Sequence, residues 1–174
     1  MLSVASSSMI LDVGDTATNT VINTQGVQHV SSGGSATSTT INSGGGMSVK
    51  GSANNTIIHD SGGMVVHSGG IATNTTLGSN GFQYVFIGGS ATDTVINKDG
   101  RQFVSSGGSV TDITINSGGS LLVHAGGSAV NITQNSGSII KAGTSSVLNG
   151  NNTNGSFSIA GGSASICCWR TEAL

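Results

Sequence analysis

The amino-acid sequence predicts an all-β protein, a single-stranded, right-handed parallel β-helix (β-solenoid) with about 19 residues per coil. Three observations predict it. A short phrase returns at a nearly fixed step, the segments between its glycines are rich in Thr, Val and Ile, and no stretch has helical spacing. A period of this size, near 20 residues, marks a repeat architecture whose units are stable only when stacked on their neighbours.

One copy reads Ala91-Thr92-Asp93-Thr94-Val95-Ile96-Asn97, then Gly100, then Gln102-Phe103-Val104-Ser105-Ser106-Gly107-Gly108. Taking the alanine as position zero, copies begin at Ala17, Ala36, Ala53, Ala72, Ala91, Val110 and Ala129, in steps of 19, 17, 19, 19, 19 and 19. The short step falls where Ser31-Ser32-Gly33-Gly34 becomes Lys50-Gly51, so a turn loses two residues while the strands keep phase. Five places on stand Ile22, Ile41, Ile58, Leu77, Ile96 and Ile115; thirteen on stand Val30, Val49, Val66, Val85, Val104 and Val123. Nine on stand Gly26, Gly45, Gly62, Gly81, Gly100 and Gly119.

Each unit therefore reads as strand, Gly turn, strand, Gly-Gly turn. The strands alternate with period two. Glycine supplies positive φ at the tight corners and interrupts every window long enough for a helix. Stacking turns the Ile and Val columns into the core. About six to seven coils at roughly 4.8 Å each make a rod of about 30–35 Å, right-handed by the crossover preference. The column Asn23, Asn42, Asn97, Asn116 and Asn135 lies where strand meets turn. Stacked side-chain amides can bond to one another along such a column.

The pattern divides the chain into an N-terminal lead-in (1–13), the β-helix repeat domain (14–145), degenerate coils (146–166) and a non-repeat tail (167–174). Neither end shows an obvious cap, so the terminal coils are expected to expose open strand edges, which invite association.

Composition excludes several classes. The five Lys and Arg residues (Lys50, Lys98, Arg101, Lys141, Arg170) are scattered and the net charge is −2, so nucleic acid is not an expected partner. No apolar run approaches the roughly 20 residues that span a bilayer, and the opening Met1-Leu2-Ser3-Val4-Ala5 does not read as a signal peptide. Cys167 and Cys168 are adjacent and outside the repeats, so the body has no disulfide framework.

The candidate sites follow from the columns. Thr at plus three shares its face with the Ile at plus five and gives way to Ile113 and Ile132, so it is expected inside, which argues against an ice-binding Thr face. Asp93 and Asp112 are one coil apart, a spacing on the order of 5 Å that suits a retaining glycosidase. The same column holds Asn19, Ser38, Asn55, Asn74 and Asn131, so the pair reads as part of an outward polar column and no catalytic residue is assigned. The histidines His29, His59, His67 and His124 share no column on adjacent coils, so no metal site or cofactor is assigned. Val65, Tyr84, Phe103 and Leu122 stand at plus twelve, beside the buried Val column, and are expected to form an exposed apolar contact stripe, with Phe86 two places from Tyr84. The Ser-Gly-Gly corners at Ser32, Ser43, Ser61, Ser68, Ser106 and Ser117 present hydroxyls without bulky neighbours, so these serines are candidate O-glycosylation acceptors.

The phrase Gly89-Ser90-Ala91-Thr92-Asp93-Thr94-Val95-Ile96-Asn97, with Gly100 to Gly108, resembles the repeat of AIDA-type autotransporter adhesins over roughly residues 14 to 142. The resemblance implies a right-handed β-helical passenger on the surface of a Gram-negative bacterium. Its expected partners are like passengers in self-association, host or bacterial surface receptors, and a heptosyltransferase that modifies Ser or Thr in short turns. The family's signal region and C-terminal outer-membrane barrel have no counterpart here, so the chain reads as a truncated passenger fragment. The expected function is non-enzymatic: cell–cell aggregation, biofilm formation or host adhesion. The alternatives are a β-helical polysaccharide-active enzyme, which the near-constant step leaves without long cleft-building loops, and then an ice-binding rod.

Overall fold

The computed structural model describes residues 2–162 and 164–167, all of them strands and turns. The first coil comprises β1 (Leu2–Val4) and β2 (Ser8–Leu11), the second β3 (Thr16–Thr18), β4 (Thr20–Ile22) and β5 (Val27–Val30). Then follow β6 (Ser35–Ile41) with β7 (Gly46–Val49), β8 (Ser52–Ile58) with β9 (Gly63–Val66), and β10 (Ile71–Leu77) with β11 (Phe82–Val85). The upper coils are β12 (Ser90–Ile96) with β13 (Arg101–Val104), β14 (Ser109–Ile115) with β15 (Ser120–Val123), and β16 (Ser128–Gln134) with β17 (Ile139–Ala142). The described residues finish with β18 (Val147–Asn152), β19 (Gly155–Ala160) and β20 (Ala164–Cys167).

The strands stack into two sheets. One runs β1-β4-β6-β8-β10-β12-β14-β16-β18-β19, with β3 also on β6; the other runs β2-β5-β7-β9-β11-β13-β15-β17-β20. Pairing is parallel from β1 to β18, and residues a copy apart are partners, as in Ala72↔Ala91 and Val85↔Val104. The shortened copy keeps register, with Ser35↔Ser52 and Ile41↔Ile58. The solenoid has about eight turns rather than six to seven. The difference lies in Leu2–Leu11, which lacks the repeat phrase yet pairs in register with the coil above (Val4↔Ile22, Leu11↔Val30). Backbone ladders need no particular side chains, so repeat spelling under-counts coils.

Five residues per coil point inward, at positions zero, three, five, eleven and thirteen. The Ile/Leu and Val columns are fully buried, as are the threonines Thr20, Thr39, Thr56, Thr75 and Thr94 that share their face. The plus-eleven column is Gln28, Met47, Met64, Gln83, Gln102, Leu121 and Ile140, all buried. The interior is therefore partly polar. Gln102 Nε2 donates to Gln83 Oε1 at 2.7 Å and to Thr94 Oγ1 at 3.3 Å, and Gln83 Nε2 donates to Thr75 Oγ1 at 3.4 Å.

Simple alternation cannot point both position zero and position five inward. A left-handed residue at plus two resolves the conflict. Asn19, Ser38, Asn55, Asn74, Asp93, Asp112 and Asn131 have φ of 54–57°. Each bends its strand there, and in the second coil the bend separates β3 from β4. Asn and Asp tolerate this conformation best among residues with a side chain, which explains the column's composition.

The glycines divide their labour. Those at plus sixteen, such as Gly107 (φ 70°), adopt the left-handed conformation. Those at plus nine and plus seventeen do not, contrary to the expectation that all serve positive φ. They are needed because the coil below lies too close for a side chain. A Cβ on Gly119 would stand 2.7 Å from the Ile96 carbonyl oxygen. Beside these turns the asparagine ladder forms as expected, Asn42 Nδ2 to Asn23 Oδ1 at 2.9 Å and Asn116 Nδ2 to Asn97 Oδ1 at 2.8 Å. His59 and Gly78 interrupt it.

The stretch 146–166, expected to hold degenerate coils with an open end, is built differently. β18 continues parallel on β16 with a register shift between Ala129 and Ile132. The chain then turns at Asn152-Thr153-Asn154-Gly155, and β19 returns antiparallel on β18. β20 lies antiparallel on β17. Phe157, Ile159 and Ile166 pack against the top of the core, and Gln134 Nε2 donates to the Ile166 carbonyl oxygen at 2.9 Å. Asn-Gly is a hairpin signal, and here it reverses the chain over the last coil. Cys167 pairs opposite Ile139; residues 168–174 of the expected tail, Cys168 among them, lie outside the described residues.

Candidate functional site

The expected contact stripe lies on the outer face of the short-strand sheet. Val65, Tyr84, Phe103 and Leu122 are register partners on β9, β11, β13 and β15. Each is half-buried rather than fully exposed. For Tyr84 and Phe103 the cause is that the rings cover one another. Tyr84 and Phe103 stack with centroids 4.5 Å apart and planes 12° from parallel. Phe86 stacks on Tyr84 at 6.1 Å, and His67 approaches Phe86 at 5.8 Å.

Reading the sequence by columns missed Phe82. It lies two places before Tyr84, so period-two alternation puts it on the same outer face. Its ring meets Tyr84 edge to face at 5.7 Å and lies over Gly63 of the coil below, where a Cβ would collide with it. β11 and the residue that follows it thus carry an aromatic row, Phe82-Tyr84-Phe86, with Phe103 stacked above. A small cleft of about 170 Å³ opens between Asn80, Phe82, Tyr84, Arg101 and Phe103. In the coils above and below, the Tyr84 column becomes aliphatic or polar, with Ser48 and His29 on one side and Leu122 and Lys141 on the other. The aromatic patch is therefore local.

The six candidate serines are all exposed. Ser32, Ser68 and Ser106 share the Gly-Gly corner column; Ser43 and Ser117 share the other corner, where Ser61 takes the left-handed position with φ 70°. Glycine in the coil above keeps several of these hydroxyls open. A Cβ on Gly88, Gly126 or Gly137 would stand 2.7, 2.9 or 2.6 Å from the Oγ of Ser68, Ser106 or Ser117. A larger residue there would close the corner.

Asp93 and Asp112 sit on the exposed left-handed column, where Asn131 Nδ2 donates to Asp112 Oδ1 at 3.1 Å and Asn74 Nδ2 to Asn55 Oδ1 at 2.6 Å. Backbone conformation accounts for both aspartates without a catalytic task. Among the described residues, no three His, Cys, Asp or Glu side chains gather as metal ligands, and no helix is long and apolar enough to cross a membrane.

Comparison with known proteins agrees with the geometry. Residues 68–119 match the family model described as "Adhesin of bacterial autotransporter system, probable stalk". Among solved structures, the crystal structure of a TibC-catalysed hyper-glycosylated fragment of TibA, residues 55–350, is similar, with 41% sequence identity over 79% of this chain and a TM-score of 0.65. This chain spans 62% of the length of that fragment. No curated protein sequence matches it.

Proposed function

Since the repeats of this chain are those of the AIDA-type autotransporter adhesin stalk, we propose that it works as a non-enzymatic adhesive module at the bacterial surface. It holds cells to one another, and so supports aggregation and biofilm formation, or holds them to host surfaces. The mechanism is the sum of many weak contacts along a rod, which gains strength from multiplicity rather than from one tight site. The observation that carries this reading is the aromatic row on the outer face of the short-strand sheet, because aromatic anchors carry most of the energy of such contacts.

The test is the double variant Tyr84→Ser/Phe103→Ser in the full passenger displayed on cells. Each truncated ring removes about 1 kcal/mol or more of contact energy, about fivefold per contact, so the displaying cells should settle more slowly. Both positions face outward, so the circular dichroism spectrum should be unchanged. Unchanged settling would remove the stripe from the mechanism.

The same reading covers modification. TibA carries sugars added by TibC. The exposure of Ser32, Ser43, Ser61, Ser68, Ser106 and Ser117 supports these corners as O-glycosylation acceptors in this chain. Peptide mass mapping after co-expression with a glycosyltransferase of TibC's kind should find sugar on the corner serines and none on the buried Thr75 and Thr94. Additions confined to other positions would reject the assignment.

A further inference from the structure

A second surface lies on the long-strand sheet, away from the aromatic row. An open groove of about 610 Å³ lies along the bend at plus two over four coils, within the range of small-ligand sites. Asn19, Ser38, Asn55 and Asn74 form one edge, and Thr40 and Thr76 project from the strands beyond the bend. Val21 and Ile57 alternate with these threonines, in the register Val21↔Thr40↔Ile57↔Thr76. Hydroxyls and apolar patches therefore follow one another at the coil spacing of roughly 4.8 Å.

The chemistry of the lining is specific. No charged side chain is among its ten residues. The bond from Asn74 Nδ2 to Asn55 Oδ1 leaves the Asn55 amide N–H groups and Asn74 Oδ1 for a ligand. Ile57 is 42% exposed, an apolar surface beside hydrogen-bonding groups. Directly above, the amide column turns into the exposed carboxylates Asp93 and Asp112, which repel an anion approaching along the groove.

We propose that this groove binds a neutral glycan chain laid along the solenoid axis. Amides and hydroxyls exchange hydrogen bonds with sugar hydroxyls, Val21 and Ile57 receive the apolar faces of the rings, and Asp93 and Asp112 exclude acidic polysaccharides. The proposal deepens the adhesive reading by naming a ligand class. It is separable from that reading, because soluble sugar binding can fail while cell–cell settling persists.

The test titrates the purified chain with cellohexaose and maltohexaose, and separately with an oligogalacturonate of similar length, following amide chemical shifts. Saturable shifts at Asn55, Asn74 and their strand neighbours are expected with at least one neutral sugar and not with the acidic one. Thr40→Val and Thr76→Val keep the β-branched shape while removing a hydroxyl, so each should weaken binding by about fivefold. Thr114→Val occupies the same column outside the groove and should leave binding unchanged. Absence of saturable shifts with both neutral sugars overturns the proposal, as does equal binding of the oligogalacturonate. So does equal loss in Thr114→Val, or variants that change self-association while binding sugar like the parent.

Discussion

Gly108→Ala is expected to lower the unfolding temperature of the solenoid by about 6–12 °C. A Cβ at this position would stand 2.6 Å from the Val85 carbonyl oxygen and 3.1 Å from that of Ser105. Both obstacles are backbone, so relief requires moving one coil off the next. Overpacking of this kind costs about 3 kcal/mol, and for a chain of this length each kcal/mol shifts the midpoint by about 2–4 °C. The adjacent Gly107→Ala is the comparison. Its φ of 70° is strained for alanine, but its Cβ would meet only the exposed Ile87 side chain, so about 1–2 kcal/mol is expected. Thermal unfolding by circular dichroism ranks the two. The reverse order would mean that backbone conformation, not coil spacing, selects glycine at plus seventeen. The upper coils show what accommodation looks like. Ser138 and Ser146 occupy the two close-approach columns there, and their turn bonds, Ser138 to Asn135 and Ser146 to Gly143, lengthen to 3.2 and 3.4 Å. The corresponding bonds of Gly108 and Gly119 are 2.9 and 2.8 Å.

Much of this architecture was legible because a solenoid converts sequence period into spatial neighbourhood. Val85 and Val104, or Asn97 and Asn116, needed only the period to be placed together. What alternation alone could not give was the change of phase within a coil. Both Ala91 and Ile96 point inward, and the left-handed residue between them, Asp93, marks the bend that permits it. That column read as a polar array with a possible carboxylate pair, because Asn, Ser and Asp suit both solvent and positive φ. Gln83 and Gln102 went unassigned because glutamine ordinarily faces water; only stacking shows each amide finding its partner a coil away. The aromatic patch was half legible. Tyr84 and Phe103 share a column, but Phe82 belongs to a column that is otherwise Gly, Ser, Val, Arg and Ile, so it emerged only from the face and not from the period. The closing hairpin escaped because it leaves the repeat altogether, although Asn154-Gly155 carried a turn signal.

The polar interior yields the other large effect. Gln102→Glu is expected to destabilise the chain by about 3–5 kcal/mol at pH 7, the cost of leaving a buried charge uncompensated. Gln102 has no exposed surface, its Nε2 donates to Gln83 Oε1 at 2.7 Å, and its own Oε1 has no partner. A glutamate would set a carboxylate oxygen against that Gln83 oxygen in the buried interior. Burial and the facing oxygen both disfavour the ionised form, so the folded-state pKa rises above the unfolded value of about 4.3. Between these two values the folded state binds more protons than the unfolded state, so stability falls as pH rises and levels off above the folded pKa. The deficit relative to the parent should therefore be smallest below about pH 4.3, where the protonated acid can donate to Gln83 Oε1. Gln102→Leu provides the uncharged reference. Leucine already holds the column one coil above, at Leu121, so the change fits sterically but leaves Gln83 Oε1 without its donor, at about 1–2 kcal/mol and with no dependence on pH. Unfolding midpoints of parent and both variants across pH 4 to 8 separate the cases, and a glutamate deficit that stays constant over that range would place the Gln102 side chain in contact with water.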